Sequence, residues 1–176
     1  MIDLLSCLPE EIADVLSTLH EPRYRAKQIF DWCRRGTPIG EMTNLPAALR
    51  EKLREICEWR LPTVEVKQTS ALDGTVKYLF RLVDGNCVES VLMRYRHGTT
   101  LCISSEVGCP MGCKFCASTI GGKVRNLEPS EMLGQVIAAS LDAGERIDGI
   151  VLMGIGEPLD NYDNVLKFLH LVSCPE

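Results

Sequence analysis

The chain has 176 residues, of which 45% are hydrophobic, so it can bury the core of one medium domain or two small ones. Its net charge of −5, from 19 basic and 24 acidic residues, argues against nonspecific binding of nucleic acid over the whole surface. Its nine cysteines suit a reducing cytoplasm, and because neither a basic leader nor a membrane-spanning apolar run is evident, we expect a cytoplasmic protein without membrane contact.

Residues 1–60 predict a helical accessory domain. Apolar residues recur at helical spacing in three segments, and Pro9 and Gly36 suit a helix start and a helix stop. The apolar positions are Ile12, Val15, Leu16 and Leu19, then Ala26, Ile29, Phe30 and Cys33, then Leu49, Leu53 and Ile56.

The sequence of residues 61–100 predicts a small β-hairpin segment that links the helical domain to residues 101–176. Apolar residues alternate with more polar ones over 76–82, a period of two that is typical of a strand. The pairs Asp73-Gly74 and Asp84-Gly85 are hairpin turn signals, and residues 87–93 would form the returning strand.

Residues 101–176 predict the strand–helix order of a parallel sheet. Strands at 100–104 and 150–153 are followed by helices at 129–143 and 161–171. A complete βα barrel needs roughly 250 residues, and two parallel strands alone would leave a bare edge. The predicted fold class is therefore α/β, with the first two βα units of a partial barrel, and we infer that the chain is the N-terminal portion of a longer protein.

Three cysteines form a C-x3-C-x2-C pattern directly after the first of these strands: Cys109, Cys113 and Cys116. Thiolates are soft ligands that suit zinc and iron–sulfur clusters. A closed structural zinc site takes four protein ligands, so three thiolates leave one position for another ligand. Two alternatives stay open, namely a zinc site completed by a distant residue such as His97 and three cysteines that only pack.

A glycine-rich element, MGIGEP at 153–158, follows the second strand, where βα folds place their ligand sites. Gly156 would let a ligand approach the backbone, and the Glu157 carboxylate could accept hydrogen bonds from an ammonium group. The element lacks both the dinucleotide fingerprint and the P-loop lysine, and a simple turn is the alternative.

Together the two elements resemble the radical S-adenosylmethionine (SAM) superfamily. In that superfamily the three cysteines hold a [4Fe-4S] cluster, and its open iron binds SAM. The resemblance also implies that Gly156 and Glu157 meet the methionine amino group of SAM and that Phe115 lies near its adenine.

Longer stretches resemble the RlmN family of dual-specificity RNA methyltransferases. They are LCISSEVGC at 101–109, RNL at 125–127, MGIGEPL at 153–159 and EPRYRAKQIF at 21–30. The resemblance implies methylation of C2 of adenine in 23S rRNA and tRNA through a methylated cysteine that lies outside this chain. It also implies an electron donor such as flavodoxin; we expect a monomer, and no methyl transfer by this chain alone.

Two further residues gain roles from the resemblance. Cys102 matches the cysteine that resolves the covalent enzyme–RNA adduct, and Glu89 matches the proposed proton acceptor. Glu89 would share an apolar face with Val91 and Met93, which would favour proton uptake by its carboxylate. Without the resemblance, Cys102 is a small apolar strand residue and Glu89 a strand glutamate bonded to a basic neighbour.

Three basic groups could contact RNA phosphates, although solvated surface is the plainer interpretation. They are Arg23, Arg25, Lys27, Arg34 and Arg35, then Arg94, Arg96 and His97, then Lys123 and Arg125. Two rival functions stay open: a Cfr-type enzyme that methylates C8 of adenine, and a non-catalytic metal-binding RNA module.

Overall fold

The computed structural model of the protein describes residues 1–175. The helices are α1 (Pro9–Thr18), α2 (Arg25–Arg34), α3 (Ala47–Ile56), α4 (Pro129–Ala143) and α5 (Tyr162–Ser173). The strands are β1 (Ile2–Asp3), β2 (Cys57–Glu58), β3 (Thr63–Thr69), β4 (Val76–Arg81), β5 (Cys87–Tyr95), β6 (Gly98–Cys102), β7 (Glu106–Gly108), β8 (Lys123–Asn126) and β9 (Gly149–Val151). Among residues 1–175, no helix is both long and apolar enough to cross a membrane.

The three N-terminal helices bury the apolar faces that the sequence predicts. Ile12 and Leu16 on α1, Ile29 on α2, and Leu49 and Leu53 on α3 are all fully buried. A proline opens α1, and the first free amide is capped because the Leu8 backbone N–H donates to the Glu11 carboxylate at 2.7 Å.

Five strands form one mixed sheet in the order β3-β4-β5-β6-β9. Neighbours from β3 to β6 are antiparallel, whereas β6 and β9 are parallel, with Thr100 opposite Gly149 and Cys102 opposite Val151. The predicted hairpin and the first βα strand therefore share a sheet, and β6 runs across the predicted division at residue 100. In this sheet, strands β3 to β5 of the predicted hairpin segment lie directly beside the strands of the predicted βα units.

The second parallel strand differs from its prediction. The sequence predicts a buried strand over 150–153, but β9 covers only Gly149–Val151 and is half-buried, and Met153 is 81% exposed. Among residues 1–175 no strand pairs with the outer edge of β9. The apolar run is therefore only partly covered, because burial of a parallel strand depends on neighbours at both edges and both faces.

The two faces of the sheet have different surroundings. Val88, Ser90 and Leu92 on β5 and Leu101 on β6 are buried on the face that α4 covers, as a hydrogen bond from Ser90 to α4 shows. The alternate residues of the same strands, which include Glu89 and Cys102, are half-buried on the opposite face. The predicted catalytic residues therefore lie on the open side of the sheet.

A buried polar network joins α4 to that sheet. Gln135 Oε1 accepts from Ser90 Oγ at 2.8 Å and from the Ser104 backbone N–H at 2.9 Å. Ser104 Oγ donates to the Glu89 carbonyl at 2.6 Å and accepts from the Ile155 backbone N–H at 3.0 Å. The two bonds to Gln135 are buried and the two made by Ser104 Oγ are partly buried, so the network fixes the strand of Glu89 relative to the loop after β9.

Candidate active site

The three cysteines lie on the loop that follows β7. Cys109 is buried, Cys116 is half-buried and Cys113 is exposed, and all three are free thiols. The Cys109 backbone N–H donates to the Gly122 carbonyl at 3.2 Å, which anchors the start of the loop. Within the described residues no three His, Cys, Asp or Glu side chains converge closely enough to hold a metal ion. The structure therefore places the thiols on one loop without closing a ligand site.

The donor set of this loop nevertheless fits an iron–sulfur cluster. Three thiols without protein partners are the soft ligands that such clusters take. The centre of the loop is exposed, and a Cβ atom at Gly112 would meet no atom within 4 Å. If a cluster binds here, Cys109, Cys113 and Cys116 are the residues that would hold it.

His97 does not lie near this loop. It stacks on Tyr95 with ring centroids 5.3 Å apart, in the turn that precedes β6. The cysteine loop follows the other end of β6, and five strand residues span roughly 16 Å. The structure therefore does not support the zinc alternative in which His97 is the fourth ligand.

The glycine-rich element runs beside the segment that leaves β6. The Gly154 backbone N–H donates to the Ile103 carbonyl at 3.0 Å, and the Ser105 N–H donates to the Ile155 carbonyl at 2.9 Å. A Cβ atom at Gly154 would lie 2.7 Å from the Ile103 oxygen, so this approach requires glycine. The two predicted elements are thus joined at the carboxyl ends of two parallel strands, where ligands bind in βα folds.

Glu157 is held in a defined turn. One of its carboxylate oxygens, Oε1, accepts from the Leu159 backbone N–H at 3.1 Å. Asn161 is buried, and its Nδ2 donates to the carbonyls of Ser105 and Leu127 at 2.8 Å each. Asn161 therefore fastens the turn after Glu157 to the two strands that flank the cysteine loop, a role that the sequence analysis missed.

Large apolar side chains are exposed around both loops. Phe115 is 94% exposed and Met153 is 81% exposed, and Met111, Ile120 and Leu159 are exposed as well. Exposed apolar side chains concentrated in one region mark a surface that binds a ligand or another part of a protein. The Phe115 ring is therefore free to stack on a ligand bound at the loop.

Cys102 and Glu89 share the open face of the sheet. Cys102 lies opposite Val91 in the register of β5 and β6, and Glu89 precedes Val91 by two residues. Partial burial raises the pKa of the Cys102 thiol, although a hydrogen bond with the Met153 backbone acts in the opposite direction. Glu89 Oε1 lies 2.8 Å from Lys77 Nζ. Glu89 shares its face with Val91 and Met93 as predicted, and β4 adds the basic neighbour of the alternative interpretation.

Half of the ten basic residues that the sequence offered as RNA contacts form ion pairs within the chain. The pairs are Arg23–Asp14, Arg25–Glu21, Arg94–Glu145, Lys123–Glu106 and Arg125–Glu131. By contrast, Lys27, Arg34 and Arg35 line a cleft of about 740 Å³ between α2, α4 and α5. The internal pairs favour the plainer interpretation for the third basic group, in which both residues are paired.

Comparisons with known proteins find relatives over almost the whole chain. Residues 2–59 match the family model described as the ribosomal RNA large subunit methyltransferase N-terminal domain. The chain is 52% identical to the probable dual-specificity RNA methyltransferase RlmN of Lachnospira eligens, over 98% of this chain and 50% of that protein. It is 50% identical to the same enzyme of Alkaliphilus metalliredigens, over 99% of this chain and 50% of that protein.

The chain is therefore similar to RlmN proteins over almost its whole length, and residues 2–59 match the N-terminal domain of that family. It spans about half the length of the curated relatives that it matches. A crystal structure of a radical SAM methyltransferase from Sphaerobacter thermophilus is similar, with a TM-score of 0.88 and 39% identity over 98% of this chain and 52% of that one. The predicted family and the predicted α/β class, with part of a radical SAM methyltransferase fold, are therefore confirmed.

Proposed function

We propose that the chain supplies the cluster-binding and SAM-binding half of a radical SAM methyltransferase that acts on C2 of adenine in 23S rRNA and tRNA. One observation carries the proposal: the segment that leads into the three-thiol loop is hydrogen-bonded to the glycine-rich element after β9, from Ser105 to Ile155 and from Gly154 to Ile103. The names of the RlmN relatives and of the radical SAM neighbour support it.

Each element of the site has a separate task in this proposal. Bound there, a [4Fe-4S] cluster and SAM would supply a carbon radical able to react at an aromatic carbon that is a poor nucleophile. The three thiolates would hold the cluster and leave one position open for SAM. Glu157 would accept hydrogen bonds from the ammonium group of SAM, because its bond from Leu159 already orients the carboxylate. Phe115 would cover the adenine.

The open face of the sheet would carry the later proton and thiol chemistry. Glu89 would accept the proton lost from the adenine, and the ion pair with Lys77 holds its carboxylate on the open face of the sheet. Cys102 would attack the covalent enzyme–RNA adduct and release the product. Its partial burial favours the neutral thiol, so a nearby base must take the proton when Cys102 reacts.

The same proposal covers the partners of the enzyme. Reductive cleavage of SAM needs an electron from outside the chain, for which a flavodoxin-type donor is suited, and thiol-ligated clusters survive in a reducing cytoplasm. We propose that the enzyme acts as a monomer there. Arg34 and Arg35 on α2, which line the cleft described above, are the basic residues best placed to meet RNA phosphates.

A chimera tests this function directly. Residues 1–176 joined to the C-terminal half of the Lachnospira eligens relative should methylate 23S rRNA in the presence of SAM and a reductant, and mass spectrometry of the digested RNA should find 2-methyladenine. The matched control carries Cys109→Ala and should give no product. Methylation at C8 would favour the Cfr-type alternative, and a folded, iron-loaded chimera without any product would contradict the proposal.

A further inference from the structure

Glu106 is a buried carboxylate that the mechanism above does not use. It lies on β7, three residues before the first cysteine of the loop, and its side chain is fully shielded from solvent. Its Oε2 accepts from the Glu157 backbone N–H at 3.0 Å. A buried carboxylate is costly to desolvate unless its partners compensate the charge, so its retention in this position requires an explanation.

Lys123 provides the compensating charge. Its Nζ lies 2.6 Å from Glu106 Oε1 and also contacts Asp160. Glu106 Oε1 has no hydrogen bond of good geometry, so the ion pair with Lys123 is the main interaction that offsets the desolvation of this oxygen. The pKa of Lys123 lies above its ordinary value because the neighbouring carboxylates of Asp160 and Glu106 stabilise its ammonium group. Lys123 is therefore charged at neutral pH.

The backbone of the glycine-rich turn is shaped to meet this carboxylate. Gly156 has φ of +105°, and a Cβ atom there would lie 2.7 Å from both Cβ and Cγ of Glu106. Only glycine permits this combination of conformation and close approach. The contact therefore depends on the residue type at both positions, glycine at 156 and glutamate at 106.

We propose that Glu106 is a positioning residue for SAM. By accepting the N–H of Glu157 and pairing with Lys123, it fixes the turn that receives the ammonium group of SAM relative to the strands that flank the cluster loop. This inference rests on the proposed function, because it assigns Glu106 a task only if Glu157 binds SAM. Its role is indirect, since the Glu106 side chain is fully buried and acts through the backbone N–H of Glu157.

Two double variants isolate the hydrogen-bond acceptor from the charge. Glu106→Gln with Lys123→Met keeps an oxygen for the Glu157 N–H, whereas Glu106→Leu with Lys123→Met removes it, and both replace the buried ion pair with neutral groups. In the first variant we expect SAM affinity close to that of the unmodified protein. In the second we expect it to weaken by about tenfold, the loss that one buried hydrogen bond accounts for.

The measurements are made on reconstituted protein and on protein without cluster. The dissociation constant of SAM comes from titration of the reduced cluster followed by EPR, and hydrogen exchange of the Glu157 amide is measured without cluster or SAM. We expect faster exchange only in the leucine variant. Equal affinity and equal exchange in both variants would overturn the positioning role. If the unmodified, cluster-loaded protein binds no SAM, the proposed function fails, and the exchange data still decide whether Glu106 holds the turn.

Discussion

Alanine at position 108 is expected to disrupt the cysteine loop and to abolish cluster binding. Gly108 has φ of +74°, and a Cβ atom there would lie 1.9 Å from the Gly122 carbonyl oxygen. That oxygen accepts the backbone N–H of Cys109. Because the clash is with backbone, the two strands β7 and β8 must separate, and we expect a loss of about 4 kcal/mol or more, which only the most disruptive substitutions reach.

Two other glycines of the same region provide matched controls. Gly121→Ala meets no atom within 4 Å and requires no unusual φ, so iron content and stability should stay near those of the unmodified protein. Gly112→Ala also meets no atom, but its φ of +68° costs roughly 1 kcal/mol. Urea unfolding and iron analysis of the three variants measure the difference. Unchanged iron content in Gly108→Ala would show that the loop does not depend on this close approach.

Replacement of Gln135 by leucine is expected to destabilise the protein by about 2–5 kcal/mol. Leucine has a similar volume but cannot pair with the Ser90 hydroxyl or with the backbone N–H of Ser104, both of which are buried. Each of these two buried groups is then left without a hydrogen-bond partner, and its burial costs the full free energy of desolvation. The change should appear as a lower free energy of unfolding in urea, with an unchanged m value.

A double-mutant cycle separates this network from simple packing. Ser90→Ala removes one of the two groups that Gln135→Leu would orphan. The double variant should therefore lose less stability than the sum of the single variants, by about 1 kcal/mol. Strict additivity would mean that the polar network contributes nothing beyond the volume of its side chains.

The periodic parts of the fold could be predicted from the sequence. Helical spacing of apolar residues predicted α1 to α3, and the prediction of a helix over 129–143 matches α4 to the residue. The alternation over 76–82 likewise predicted β4. Each of these elements buries one continuous apolar face, and the spacing of the apolar residues along the sequence indicates that face.

The elements that lack such a face could not be predicted. Every residue of β3 is exposed, so its sequence shows no burial pattern, and it is fixed only by pairing with β4. The short ladder of β7 and β8 depends on Gly108 at a close backbone approach rather than on hydrophobic spacing. Such pairing follows from tertiary contacts, which a linear pattern does not record.

The candidate site divides in the same way. The cysteines and Gly156-Glu157 stand out in the sequence because ligand chemistry requires those residue types at fixed spacing, and their roles stay a prediction. Ser104, Gln135 and Asn161 do not stand out, because polar side chains in apolar surroundings show their role only when their partners are known. One signal was present for Glu106, a carboxylate between strand-like residues, and it would have suggested a buried ion pair.

The central claim is that the three-thiol loop holds an iron–sulfur cluster with one position open to SAM. The most direct test is iron and sulfide analysis of anaerobically reconstituted protein, together with EPR of the reduced form with and without SAM. We predict about four iron atoms per chain and a spectrum that shifts when SAM is added, with both signals lost in Cys113→Ala. Zinc in place of iron, or a cluster whose spectrum is indifferent to SAM, would contradict the account.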